Sequence, residues 1–162
     1  MNDLLLKMPL QFEPLRKNRW IARFPDDLGI SEWMLSSAAR PKISISSVDI
    51  PFLNTSTYVA GRYKWETMTF TFRDPIAPSA SQALMEWIRL CVESVTGRMG
   101  YAAGYKRDLE IEMLDPTGVV VQKWVLKNAW ISDSNFGDLN YTDDNLADIT
   151  ATVVIDYAIL AY

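Results

Sequence analysis

Alternation of apolar and polar positions dominates this chain. The clearest run covers 148–160, where Ile149, Ala151, Val153, Ile155, Tyr157 and Ile159 alternate with residues that include Thr150, Thr152 and Asp156. A period of two with one apolar face predicts a half-buried antiparallel strand. Residues 64–73 repeat the theme, with Met68, Phe70 and Phe72 on one face and Thr67, Thr69 and Thr71 on the other. Leu109, Ile111 and Met113 oppose Glu110 and Glu112; turn residues follow at 115–118, then a further strand at 119–126. That pair predicts a hairpin. A second hairpin is expected from 19–24 and 31–37, on either side of the Pro- and Gly-bounded segment 25–29, and weaker strands at 43–49 and 129–134.

One segment has the other period. Across 80–96, Leu84, Trp87, Ile88, Cys91 and Val95 recur at helical spacing and make one apolar face. Ser79 stands where an N-cap belongs, Gln82 completes a capping box, and Gly97 is a suitable terminator. Glu86, Arg89 and Glu93 fall off the stripe, and Arg89 and Glu93 are spaced for an exposed pair. Many antiparallel strands and one flanking helix at 79–96 predict a mainly β (α+β) fold, an antiparallel sandwich or barrel. Such a sheet has edges that must be covered, blunted or paired with a neighbour.

Length and charge narrow the picture. The 162 residues fit one domain over 1–162, with no repeat or long linker to divide it. A net charge of −4 leaves little with which to neutralise phosphates. The basic runs at 16–19 and 106–107 are short and read as solvated charge. The N-terminal apolar run is too short for a signal peptide, and no stretch approaches the roughly 20 apolar residues of a membrane span. A soluble intracellular chain without a membrane partner is expected.

Candidate chemistry is sparse. Histidine is absent, which removes the commonest general base and the commonest zinc ligand. The single cysteine, Cys91, makes neither an internal disulfide nor a thiolate metal site, and its place on the helix stripe reads as a buried inert thiol. No glycine-rich phosphate loop precedes the helix, and 99–104 reads as a flexible connection. Counted from Asp133, the acidic segment 133–148 places Gly137 and Asp144 off the calcium-loop pattern, so a solvated loop is preferred there. No enzyme activity, catalytic residue, cofactor or metal is expected. A β-barrel module binding a small ligand, and a hydrolase working with carboxylates alone, stay open as alternatives to a self-assembling structural protein.

Folding alone does not explain the stretch 40–62. Ile50, Pro51, Phe52, Leu53 and Tyr58 are costly to leave in water without a partner. The following run, Val59-Ala-Gly-Arg-Tyr-Lys-Trp-Glu-Thr-Met-Thr-Phe-Thr-Phe72, leads through Asp74-Pro75 to a helix carrying Met85-Glu-Trp87. Further on stand Ala129-Trp-Ile-Ser-Asp-Ser-Asn-Phe-Gly-Asp-Leu139 and Asp144-Asn-Leu-Ala-Asp-Ile-Thr-Ala-Thr-Val-Val-Ile-Asp-Tyr157. In order and spacing these four motifs resemble the tail tube protein of contractile-tailed bacteriophages, whose fold the type VI secretion tube shares.

The resemblance implies a structural virion protein that self-assembles into stacked, hexameric rings forming the inner tail tube. Genome DNA is ejected through such a tube, inside a contractile sheath, without specific binding. Implied partners are further copies of the chain, the tail sheath protein, and the baseplate and tail terminator proteins. Assembly is expected in the host cytoplasm and residence in the virion tail; a tube-like baseplate or tail-tip protein is the variant reading. The extended segment 40–62 is then expected between subunits, with contacts from Ile50, Pro51, Phe52, Leu53, Tyr58 and Arg62 and help from Leu4, Leu5 and Leu6. Thr67, Thr69, Thr71, Thr150 and Thr152 are candidates for a polar lumen wall, or for an ordinary solvent-facing side. Glu86 and Glu93 are candidates for meeting the sheath.

Overall fold

The computed structural model describes residues 11–162. Most alternating stretches become strands: β1 (Trp20–Arg23), β2 (Leu35–Ala38), β3 (Ile43–Phe52), β4 (Thr55–Trp65), β5 (Met68–Arg73), β6 (Arg107–Leu114), β7 (Val120–Asn135), β8 (Asp148–Val154) and β9 (Tyr157–Leu160). Helices α1 (Ala80–Cys91) and α2 (Ala102–Tyr105) and two short 3-10 turns join them. Every strand pair is antiparallel. One sheet runs β1-β6-β7-β8-β5-β2, with β9 also on β7, while among the described residues β3 and β4 pair only with each other. This is the mainly β architecture with a flanking helix that the alternation predicts.

Strand β7 is the pivot. Its first part pairs with β6 and β9, and its last part, from Trp130, pairs with β8. The change of partner follows just after Asn128, whose φ of 57° bends the strand, since Ala129 still pairs with Arg107. Asparagine tolerates that left-handed geometry better than most residues. Asp108 accepts the Asn128 backbone N–H at 3.1 Å and the Lys127 ammonium at 3.0 Å. Across the bend, the Asn128 amide donates to Asp156 at 2.8 Å, and Lys106 lies 3.2 Å from the same carboxylate. A bend in β7 thus meets the break between β8 and β9, and polar side chains lock the two together.

The core fills the space that this bend encloses. Phe70 and Phe72 from β5, Ile149 and Val153 from β8, Leu109 and Ile111 from β6 and Leu126 from β7 are all buried. Helix α1 covers them with Ala80, Leu84 and Trp87. Phe24 sits edge-on to both Phe70 and Trp87, with ring centroids 6.2 and 6.4 Å away. The Trp87 indole N–H donates to the Tyr105 carbonyl at 2.8 Å, which satisfies its one polar atom.

Several expectations need correction. Residues 19–24 and 31–37 do not form a hairpin: β1 pairs with β6 and β2 with β5, at opposite edges of the sheet. Leu28, Ile30 and Met34 are buried along the way, so core burial outweighs the turn signal at 25–29. The run 64–73 is broken at Glu66 and Thr67, where the Glu66 N–H donates to the Lys42 carbonyl. The run 148–160 is broken at Ile155 and Asp156, and past the break Tyr157 and Ile159 are exposed instead of facing the core.

The helix ends at Cys91, not Thr96, because the chain folds back on itself. Val92 is extended and bridges Met99, and the Glu93 N–H donates to the Arg98 carbonyl at 2.8 Å. Gly97, with φ of 71°, shapes that turn instead of ending the helix, and Val95 is 89% exposed. Glu93 therefore lies off the helix, and Arg89 pairs with Glu86 instead. Cys91 is only half-buried. The connection at 99–104 contains the start of one-turn helix α2, which Trp87 anchors.

Two outcomes are expected. Trp87→Ala removes the largest fully buried side chain and should cost about 3–5 kcal/mol in urea unfolding. Asp108 is the second. The Asn128 backbone N–H, aided by Lys127, holds its carboxyl below the ordinary carboxylate range. The folded form thus prefers the ionised group. Its contribution is complete above the unfolded value of about 3.9 and declines as pH falls through the lower folded value. The stability gap between wild type and Asp108→Ala, read from denaturant titrations, should be constant above about pH 5 and narrow below about pH 4.

Candidate functional site

Strands β3 and β4 stand apart from the sheet. Their paired register runs from Ile43↔Trp65 at the base to Phe52↔Thr55 at the tip. Ten residues of β3 at about 3.3 Å each give an arm about 33 Å long. The expected strand at 43–49 is thus the first half of a regular ribbon of residues 43–65, which takes in most of the extended stretch 40–62. Leu53 turns the tip with φ of 51°, unusual for a residue other than glycine or asparagine. The Thr55 hydroxyl closes the turn by donating to the Phe52 carbonyl at 2.9 Å.

The arm's apolar side changes face part-way along. At the base, Ile43 and Ile45 oppose Trp65 and Tyr63. Farther out, Val48, Ile50 and Phe52 oppose Val59, Thr57 and Thr55. In β3 the apolar positions move from odd to even numbers across Ser46 and Ser47. In β4 they stay odd, but a bulge at Gly61 and Arg62 inserts the extra residue that turns them over. Both strands therefore switch at the same level. Gly61 is required there, since an added Cβ would stand 2.6 Å from Ser46 Oγ and 3.2 Å from the Ser46 carbonyl oxygen.

All six expected contact residues in the described part of the chain fall on this arm, and none is buried. Phe52 is 72% exposed, Leu53 88% and Tyr58 67%. Phe52 and Tyr58 do not act together, because Tyr58 opposes Asp49 and points to the face away from Phe52. Arg62 lies at the bulge, where its carbonyl accepts the Ser46 hydroxyl at 3.0 Å. Leu4, Leu5 and Leu6 lie outside the described residues. Sequence reasoning missed Val48 and Val59 on the distal face and Ile43, Ile45 and Tyr63 at the base. The phase shift in β3 was the available signal.

The threonines assemble elsewhere. Thr69 pairs with Thr152 and Thr71 with Thr150 across β5 and β8, and Asp133 and Asn135 extend the ladder on β7. Thr67 falls between strands and stands outside the ladder. Arg73 stands opposite Asp148 at the end of the ladder, so this sheet face is polar with little net charge. Glu86 is exposed on α1, whereas Glu93 sits in the 92–99 turn. Among the described residues, no cluster suits a metal ion and no helix is long and apolar enough to cross a membrane.

The family model described as T4-like virus tail tube protein gp19 matches residues 53–158, more than half of the chain. The chain belongs to the T4-like virus tail tube protein family. The match runs from the arm's tip through β4 and both helices to β9, so it includes the ladder and half of the arm. Comparison with curated proteins gives no match. Solved structures share the fold at low identity. The anti-feeding prophage tube-terminating cap is 17% identical with a TM-score of 0.75, over 94% of this chain and 93% of that one. A chain of the sheath–tube complex of an extracellular contractile injection system is 16% identical with a TM-score of 0.73, over 93% of each. A type six secretion system protein is more distant, at 10% identity and a TM-score of 0.52, over 88% and 82%. The expected tail tube fold and a structural tube role therefore hold for this chain.

Gly61→Val should distort the arm and spare the body. We expect urea unfolding of the body to change by less than about 0.5 kcal/mol. Limited proteolysis should at the same time cut faster within 43–65.

Proposed function

We propose that copies of this chain close into hexameric rings and that the rings stack into the inner tube of a contractile tail. The whole chain acts as one tube-like domain, with 40–62 as the inter-subunit element. The single observation that carries this reading is the arm, a two-stranded ribbon that pairs with no other described strand and has exposed apolar side chains on both faces. Such a ribbon is marginal in water without a covering surface. Among the described residues β1 and β2 are the sheet's edges, which supports ring closure, because strand edges find partners in a neighbouring copy and rotation closes the set.

The remaining assignments extend the same reading. The threonine ladder on β5 and β8 faces the lumen, where hydroxyls without a basic surface leave passing DNA unbound. Glu86 faces the sheath. The relatives' sheath–tube, terminator and baseplate assemblies support sheath, terminator and baseplate proteins as partners here. The protein is not an enzyme, is assembled in the host cytoplasm and works in the virion tail. The small-ligand alternative finds less support, since the described interior is a cluster of buried apolar side chains beneath α1.

Two variants test this in particles that contain the chain. Ile50→Ser with Phe52→Ser should leave the melting temperature of the subunit unchanged and abolish stacked rings in electron micrographs. Equal loss of melting temperature and assembly would place these side chains in the subunit's own core. Thr69→Lys with Thr150→Lys should leave tubes intact but slow DNA ejection, with the delay relieved at higher salt. Ejection unchanged at low salt would remove this face from the lumen.

A further inference from the structure

The arm and the longest described loop leave the sheet at opposite ends. Strand β5 carries the arm just before Met68, and β2, which precedes the arm, also runs toward that end. At the other end of β5, Arg73 pairs with Asp148, the residue that closes loop 136–147. The Asp74 N–H donates to the Ala147 carbonyl at 3.1 Å, which ties the loop to that end.

The two ends carry opposite charge. Arg40, Lys42, Arg62 and Lys64 surround the arm's base, where Glu66 is a nearby acidic residue, and none of the four makes a salt bridge to another described residue. Loop 136–147 holds Asp138, Asp143 and Asp144 and neither lysine nor arginine, and these aspartates are likewise without salt bridges among the described residues. Both ends also expose apolar surface. At the base, Ile43, Ile45, Tyr63 and Trp65 form an open groove floored by Tyr157 and Ala158 of β9. In the loop, Leu139 and Tyr141 are essentially fully exposed and Leu146 largely so. The loop keeps its shape through local bonds, with Asn140 accepting from Thr142 and Asp143 accepting from the Asn145 N–H.

We propose that loop 136–147 of a second copy of this chain seats on the base of the arm. Leu139 and Tyr141 enter the groove between Tyr63, Trp65 and Tyr157, and the loop aspartates meet Arg62, Lys64 and their neighbours. Opposite charge on opposite ends favours head-to-tail contact and penalises head-to-head or tail-to-tail contact, where like charges meet. The contact is heterologous and joins opposite ends of two copies, so in the stacked-ring reading it repeats along the stacking axis. Loop and groove thereby set the direction of stacking, while the arm's distal face is left for the neighbouring ring. This inference rests on the stacked-ring reading above.

Charge exchange in particles containing the chain tests it. Asp138→Lys with Asp144→Lys should lower the number of full-length tubes by about tenfold or more, as should Arg62→Glu with Lys64→Glu. Circular dichroism of the subunits should stay unchanged. The chain carrying all four changes should recover tubes to within about twofold of wild type. Normal tubes from the loop variant, or no recovery in the fourfold variant, would overturn the pairing. The Ile50→Ser, Phe52→Ser variant separates the two readings. If it loses tubes while the loop variant keeps them, stacking stands and the arm's base meets another surface. If both keep tubes, stacking through the arm fails as well.

Discussion

A two-stranded ribbon cannot bury its own faces. The arm formed by β3 and β4 keeps its backbone hydrogen bonds within itself, yet Val48, Ile50, Phe52 and Val59 stand in water on one side and Ile43, Ile45 and Tyr63 near the base on the other. Hydrophobic burial is the main favourable term in association, and the arm holds that term in reserve for another molecule. The rest of the chain supplies a rigid mount for it. Phe70, Phe72 and Trp87 anchor the sheet from which the arm departs, and Asp108 and Asn128 hold the bend that closes the body around them.

The switch of faces at Gly61 explains why the arm differs from an ordinary surface hairpin. A ribbon docked on one flat surface needs one apolar side. This ribbon has one side apolar near its base and the other near its tip, so two different surfaces are required to cover it. The proposed stack of rings would offer two surfaces, with the arm leaving one ring and running beside the next. The polar ladder of Thr69, Thr71, Thr150 and Thr152 has no such shortage of partners, since hydroxyls are content in water. The contrast between the two regions supports the proposal of an assembly surface at the arm and a wall at the ladder.

Much of this was legible in the chain itself. Period-two alternation located β5, β6 and β8 because each has one buried face, and the β6–β7 hairpin because Asp115 to Gly118 can only be a turn. The Asp115 carboxylate there accepts from the Thr117 hydroxyl and the Val119 N–H, which hold it below its usual pKa. Alternation failed where partner choice is non-local. Nothing in 19–37 says that β1 and β2 part to opposite edges, since Leu28 and Met34 read equally well as hairpin residues. The helix end was misplaced because Val95 keeps helical spacing after Val92 has already paired with Met99. The candidate site was legible as excess apolarity but not as geometry: Phe52 and Tyr58 belong to one set of contact candidates, yet the register puts them on opposite faces.

The central claim is that the arm is covered by other copies of the chain along a common axis. Cryo-electron microscopy of particles containing the chain measures this directly. The account predicts repeated rings around a channel, with residues 43–65 of each subunit crossing into the next ring. A single ring of this chain at the tail tip, or an arm folded back on its own subunit, would contradict it.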